Sequence, residues 1–408
     1  MKKSWKSNYI AILIAETMAI AGFALSMPVI PHFLAEDLGI TDDTELKMWV
    51  GLIQSCSAIS LAIFAPIWGH LADVFSKRLM LLRAMLGGAA VISLMVFVQS
   101  PWQLLVLRII QGCFTGTVAA ATVLTAGIAP MAKIALVLGL LQTGVAIGNS
   151  IGPLIGGVLS DFLGRRLAFL STSAVLGIAG LIVLKGVEDD IHLHLRKKGE
   201  RFRFLPDIKP ILKSPILISL MITTFVIQAA NSIAAPMLPL FLRELATDSR
   251  YIGSATGIVL GVGAAATAAA AVVAGKYSSR FGDWRTLIFC LSAGAILTVP
   301  QIFVTNMVQL TIFRALASFC LGGATPVLNA IIAVSADRDH QGSIYGFNSS
   351  VSSAGGALGP MIGSMVAMIN FRMVFLATAI LLGLSAVETM IRQQWLRGKE
   401  AEGNIKTG

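Results

Sequence analysis

The chain has 408 residues, of which 56% are hydrophobic and only 13% charged, with a formal net charge of +10. A soluble domain carries about 25% charged residues, so this composition excludes an ordinary soluble globular protein. The lysines and arginines fall in short gaps between apolar runs, which excludes a nucleic-acid-binding patch and fits the positive-inside pattern of a membrane protein.

About 20 apolar residues cross the hydrocarbon core. Runs of that length predict twelve spans, at 9–34, 49–72, 79–98, 102–128, 134–160, 167–185, 215–242, 251–275, 285–304, 307–334, 343–368 and 372–394. The first run is too long for a signal-peptide core and lacks a small-residue cleavage site, so it reads as an uncleaved helix. The longest polar interruption, 186–214, separates spans six and seven and reads as a solvated linker. The predicted organisation is therefore an all-α membrane protein with a six-helix bundle at 1–185, a linker at 186–214 and a second six-helix bundle at 215–408.

Twelve spans put both termini on one side. With cytoplasmic termini, twenty-three Lys and Arg fall in cytoplasmic segments or at the cytoplasmic ends of spans and six (Lys47, Arg165, Arg166, Arg243, Arg250 and Arg372) outside or at the outer ends, while Arg108 and Arg314 lie within spans. This split predicts cytoplasmic termini in a bacterial inner membrane. The four cysteines, Cys56, Cys113, Cys290 and Cys320, all sit inside apolar runs and read as small buried hydrophobes. No Cys/His cluster has metal-ligand spacing, so neither a metal nor a cofactor is expected.

Few polar side chains interrupt the spans. Glu16 lies seven residues past Tyr9, about 10 Å along the helix at about 1.5 Å per residue, well inside the membrane. An intramembrane acid is functional by default, and Glu16 is the expected proton-coupling residue, with Arg108 as candidate counter-charge. Gln111, Gln228, Asn231, Asn329 and Asn348 are candidates for a substrate cavity, with interhelical hydrogen bonding the alternative. His32 and Asp161 lie near span ends, where solvation is expected.

Three motifs stand out. Gly69-His70-Leu71-Ala72-Asp73 with Lys77-Arg78 joins spans two and three. Leu104-x-x-x-Arg108-x-x-Gln111-Gly112 lies in span four. Gly148-Asn149-Ser150-Ile151-Gly152-Pro153-Leu154-Ile155-Gly156-Gly157 lies in span five, where glycines at this spacing admit a close neighbouring helix and the proline removes a backbone donor. The halves also align. Pro28 and Pro31 recur as Pro236 and Pro239, Leu104 and Arg108 as Leu310 and Arg314, and Gly148, Gly152, Pro153 and Gly156 as Gly355, Gly359, Pro360 and Gly363. Parallel repeats of this kind place a substrate site near the bilayer midplane.

These residues resemble the major facilitator superfamily over essentially the whole chain. The Gly69–Arg78 segment is similar to the family's cytoplasmic latch, with Val74 where an arginine is usual and Ser76 where a glycine is usual. The resemblance implies a gating role for Gly69, Asp73, Lys77 and Arg78. The span-five motif matches the antiporter signature of drug:proton exporters, carried by Gly148, Gly152, Pro153, Gly156 and Gly157. Met27-Pro28 and Pro31 resemble the first-helix motif of the twelve-helix drug:proton branch. One subgroup of that branch has an acid where Glu16 stands, and a second acid where this chain has Ala24.

The resemblance implies a secondary active exporter that exchanges protons for amphipathic or lipophilic small molecules by alternating access. Its expected partners are the substrate, protons and the lipid bilayer, with no nucleic acid, and the working unit is expected to be a monomer. Export of a specific sugar, lipid or metabolite is the alternative on the same fold. A membrane enzyme is disfavoured, because no HExxH, GxSxG or intramembrane carboxylate pair is present. A transport-inactive sensor is disfavoured because the sequence holds no sizeable soluble domain.

Overall fold

A computed structural model describes residues 5–74, 76–130, 133–188, 212, 214–245, 251–335 and 341–405. Among them, twelve helical segments are long and apolar enough to cross a membrane, and they coincide with the twelve runs read from sequence. The helices are α1 (Trp5–Leu25), α2 (Val29–His32), α3 (Asp43–Val74), α4 (Lys77–Leu82), α5 (Gly88–Leu94), α6 (Pro101–Phe114), α7 (Thr117–Ile128), α8 (Ile134–Leu163) and α9 (Arg165–Gly186). There follow α10 (Pro215–Ile233), α11 (Leu238–Leu245), α12 (Ile252–Phe281), α13 (Asp283–Thr298), α14 (Met307–Gly322), α15 (Ala324–Ser335), α16 (Gln341–Ile369) and α17 (Phe371–Ile405). No strand occurs among the described residues, as backbone groups in lipid must be satisfied within helices or closed barrels.

Local chemistry sets where these helices start and break. Ser100 caps α6 by accepting from Gln103 N, and Ser214 caps α10 by accepting from Leu217 N, each with a proline at the first helical position. Asn306 caps α14 at the place in the second repeat that Ser100 holds in the first. Spans one and seven, each read as one continuous run, are both interrupted. α1 stops at Leu25 before Pro28, and α10 stops at Ile233 before Pro236, because a proline supplies no N–H to continue the ladder.

By internal contacts the chain forms two compact units, one of Met1–Phe204 with Pro236–Ala265 and the other of Leu205–Ala235 with Ala266–Gly408. In the first unit α1 packs along α8. A Cβ added at Gly148, Gly152 or Gly156 would collide with the backbone carbonyls of Thr17, Ala21 and Leu25 respectively. In the second unit α10 packs along α16 by the same device, with Gly355, Gly359 and Gly363 against the carbonyls of Phe225, Ala229 and Ile233. The sequence repeat is thus a repeat of helix contacts, made where only glycine lets two backbones approach so closely.

Candidate functional site

Glu16 sits mid-way along α1 with none of its surface exposed. The Thr117 hydroxyl, at the start of α7, donates to its Oε1 at 2.9 Å. Its Oε2 is buried without a hydrogen-bond partner. Arg108, on α6, is 5% exposed, and its Nη2 donates to the Ser26 hydroxyl at 3.3 Å while Nε has no partner. Among the described residues Glu16 and Arg108 therefore form no ion pair: each takes a neutral hydroxyl instead. Gln111 lies one turn beyond Arg108, also buried, with Oε1 unpartnered. A buried charge with so little compensation is costly, so this is a place where a carboxyl can exchange its charge for a proton.

The second unit holds a neutral polar cluster. Thr224 of α10 donates to Asn348 Oδ1 at 2.7 Å, and Asn348 Nδ2 of α16 reaches Asn329 Oδ1 of α15 at 3.4 Å. Asn348 is 8% exposed. Two of the candidate cavity residues thus meet, through interhelical hydrogen bonds. Gln228 is half-buried with its Cβ against α16, beside Gly355, and Asn231 is exposed on α10. Neither joins the cluster by a hydrogen bond among the described residues.

Of the segment joining spans two and three, Gly69 and Asp73 lie in α3, but their side chains fall outside the described residues. Lys77 and Arg78 open α4, where Arg78 Nη2 donates to the carbonyl of Leu184 on α9. Lys77 Nζ approaches Gly127 of α7. The linker expected at 186–214 also lies almost wholly outside the described residues.

The span-five glycines serve two faces of α8. Gly148, Gly152 and Gly156 meet α1, whereas Gly157 meets Gly253, and the carbonyl of Pro153 meets Gly257, both on α12 within the first unit. Asp161, expected to be solvated, instead accepts from Gly253 N at 3.0 Å and from Ser254 N and Oγ at 2.6 Å, where it caps the start of α12. This is the favoured place for a carboxylate, since the first N–H groups of a helix lack partners of their own. His32, also expected to be solvated, is 4% exposed, because α2 packs on α11. Sequence reasoning passed over Ser26, Thr117 and Thr224, all hydroxyls in apolar runs. The one available signal was Gly116, a glycine interrupting span four just before Thr117.

The sequence model of the Major Facilitator Superfamily matches residues 12–307 and 220–406. A multidrug resistance protein MdtG of Enterobacter lignolyticus is 35% identical over 388 residues, covering 95% of this chain and 92% of that protein. MdtG of Rahnella sp. is 34% identical over 385 residues, covering 94% and 92%. Among solved structures, the nucleoside transporter NupG superposes with a TM-score of 0.76 at 14% identity, covering 94% of this chain and 98% of that one. A bacterial homolog to the human lysosomal transporter Spinster gives 0.78 at 13% identity, covering 97% and 98%. With twelve membrane-spanning helices, a doubled six-helix repeat and these matches over nearly its whole length, the chain belongs to the Major Facilitator Superfamily.

Proposed function

We propose that the chain is a secondary active exporter of the bacterial inner membrane that exchanges inward-moving protons for amphipathic small molecules, with both termini cytoplasmic. The observation that carries this reading is Glu16, a fully buried carboxyl in mid-span whose bonded partner is a neutral hydroxyl. A carrier needs such a group, ionised in one state and neutral in another. The relatives named multidrug resistance protein MdtG support multidrug substrates, and cavity candidates that are amides rather than charges suit lipophilic ligands. In this reading the two six-helix bundles, 1–185 and 215–408, carry the repeat, and 186–214 links them in the cytoplasm.

The driving force suffices. One charge moving through 100 mV supplies about 2.3 kcal/mol, and one pH unit about 1.4 kcal/mol. The test uses the purified protein in proteoliposomes with ethidium as probe. An imposed pH gradient is expected to drive ethidium across the membrane and a protonophore to abolish the movement. Ethidium movement that ignores the gradient overturns proton exchange.

A further inference from the structure

Span four does not run straight past Glu16. α6 stops at Phe114, Thr115 is extended, Gly116 takes a φ of 117°, and α7 restarts at Thr117. Glycine stands at the break because a residue with a Cβ is strained at that φ. α7 is therefore a 12-residue helix whose N-terminus lies inside the membrane span. The first N–H groups of such a helix have no preceding turn to bond, and they carry partial positive charge. One bond puts Glu16 at this end, and one buried oxygen is left open there. The hydroxyl of Thr117, the first residue of α7, donates to Oε1, and Oε2 is fully buried without a partner.

We propose that Gly116 and Thr117 are positioning residues for Glu16: the break brings the Thr117 hydroxyl and the positive end of α7 onto the carboxyl and holds its ionised form inside the bilayer, an assignment that rests on Glu16 as the proton carrier. A carboxylate in apolar surroundings is unstable without such support. Among the described residues no charged side chain is bonded to Glu16. α7, α8 and α9 pack against α1. Among their described residues, the charged groups are Asp161 at the far end of α8, Arg165 and Arg166 at the start of α9, and Lys185 at its close. Asp161 is held by α12, and Arg165 pairs with Glu36 and Asp37. On α6, Arg108 is bonded to Ser26. Oε2, left without a partner, is the atom that takes the proton.

The second unit interrupts the matching helix by a milder turn, with Gly323 in the right-handed region at a φ of −77°, and without the pair. α14 gives way to α15 at Gly323, and at the offset of 208 that carries Pro28 onto Pro236, Glu16 becomes Thr224. α15 opens on Ala324, and Thr224 turns instead to Asn348. Of these two matching breaks, only the one in the first unit sets an acid against the hydroxyl that opens the following helix.

Infrared difference spectra recorded against pH test the assignment without a transport substrate. The full-length protein is placed in lipid nanodiscs, and the band of the protonated Glu16 carboxyl is the one that Glu16→Gln removes. Thr117→Val keeps the shape and deletes the donor, and is expected to move the midpoint of that band to higher pH by about one unit, a tenfold change in the protonation equilibrium. Thr117→Ser is expected to restore the parent midpoint. A Thr117→Val protein that titrates at the parent midpoint overturns the proposal, as does a Glu16 band that never titrates in the parent. If the midpoint moves while Glu16→Gln keeps gradient-driven transport, the positioning stands and the proton-carrier reading falls.

Discussion

Removing the Thr224 hydroxyl would strip Asn348 Oδ1 of its 2.7 Å donor inside the second unit. An unmet buried acceptor costs about 1–3 kcal/mol. Thr224→Val is therefore expected to lower the thermal midpoint of the purified protein, and Thr224→Ser to recover most of it; equal midpoints for all three would mean that the bond contributes nothing. At this scale the sequence was legible where chemistry is rare. Glu16 and the arginines Arg108 and Arg314, set inside apolar runs, identify themselves, because each is costly there. Their partners did not. Ser26 and Thr117 look like any hydroxyl in a membrane helix: Thr122 and Thr172 donate to their own backbone, and Ser26 does so too, to Phe23 O, while also accepting from Arg108. Only the fold decides which hydroxyls turn outward to a neighbour.

Helix pairs are where glycine placement becomes energetic. At Gly152 a Cβ would stand 2.5 Å from Ala21 O and 2.7 Å from the Ala24 Cβ, so Gly152→Val must push α1 away from α8. The expected result is a loss of monodisperse protein and of transport. Gly139 and Gly177 are built-in controls, since a Cβ at either meets nothing within 4 Å. Alanine at those two sites is expected to be neutral or to stabilise the helix by up to about 1 kcal/mol. Size-exclusion profiles of the three variants check the contrast, and a normal Gly152→Val profile would contradict the close seam. Element positions were readable from run length, because the bilayer fixes how many apolar residues a crossing needs. The interruptions were less so. Pro28 and Pro236 signal theirs by lacking a donor, whereas the break at Gly116 depends on one backbone angle that nothing in the local sequence forces. The α8–α12 contact at Gly157 and Gly253 also lay beyond reading, since it joins segments that no repeat relates.

For the whole molecule, the excess of Lys and Arg in alternate loops gives the orientation a direct check. A cysteine placed at Gly199, in the linker, is expected to resist a membrane-impermeant maleimide added to intact cells and to react once the cells are opened; labelling in intact cells would invert the topology. The internal repeat was legible because glycine, proline and arginine recur in order. The asymmetry within it carries the proposed mechanism: Glu16 in one half, Thr224 at the matching place in the other. Proton carriage by Glu16 can be measured by comparing parent and Glu16→Gln protein in proteoliposomes under the same imposed pH gradient, with ethidium movement and internal pH recorded together. The parent is expected to move ethidium and protons in opposite directions, while Glu16→Gln still equilibrates ethidium down its own gradient but no longer accumulates it or moves protons. Gradient-driven accumulation by Glu16→Gln at the parent rate would contradict proton carriage by Glu16.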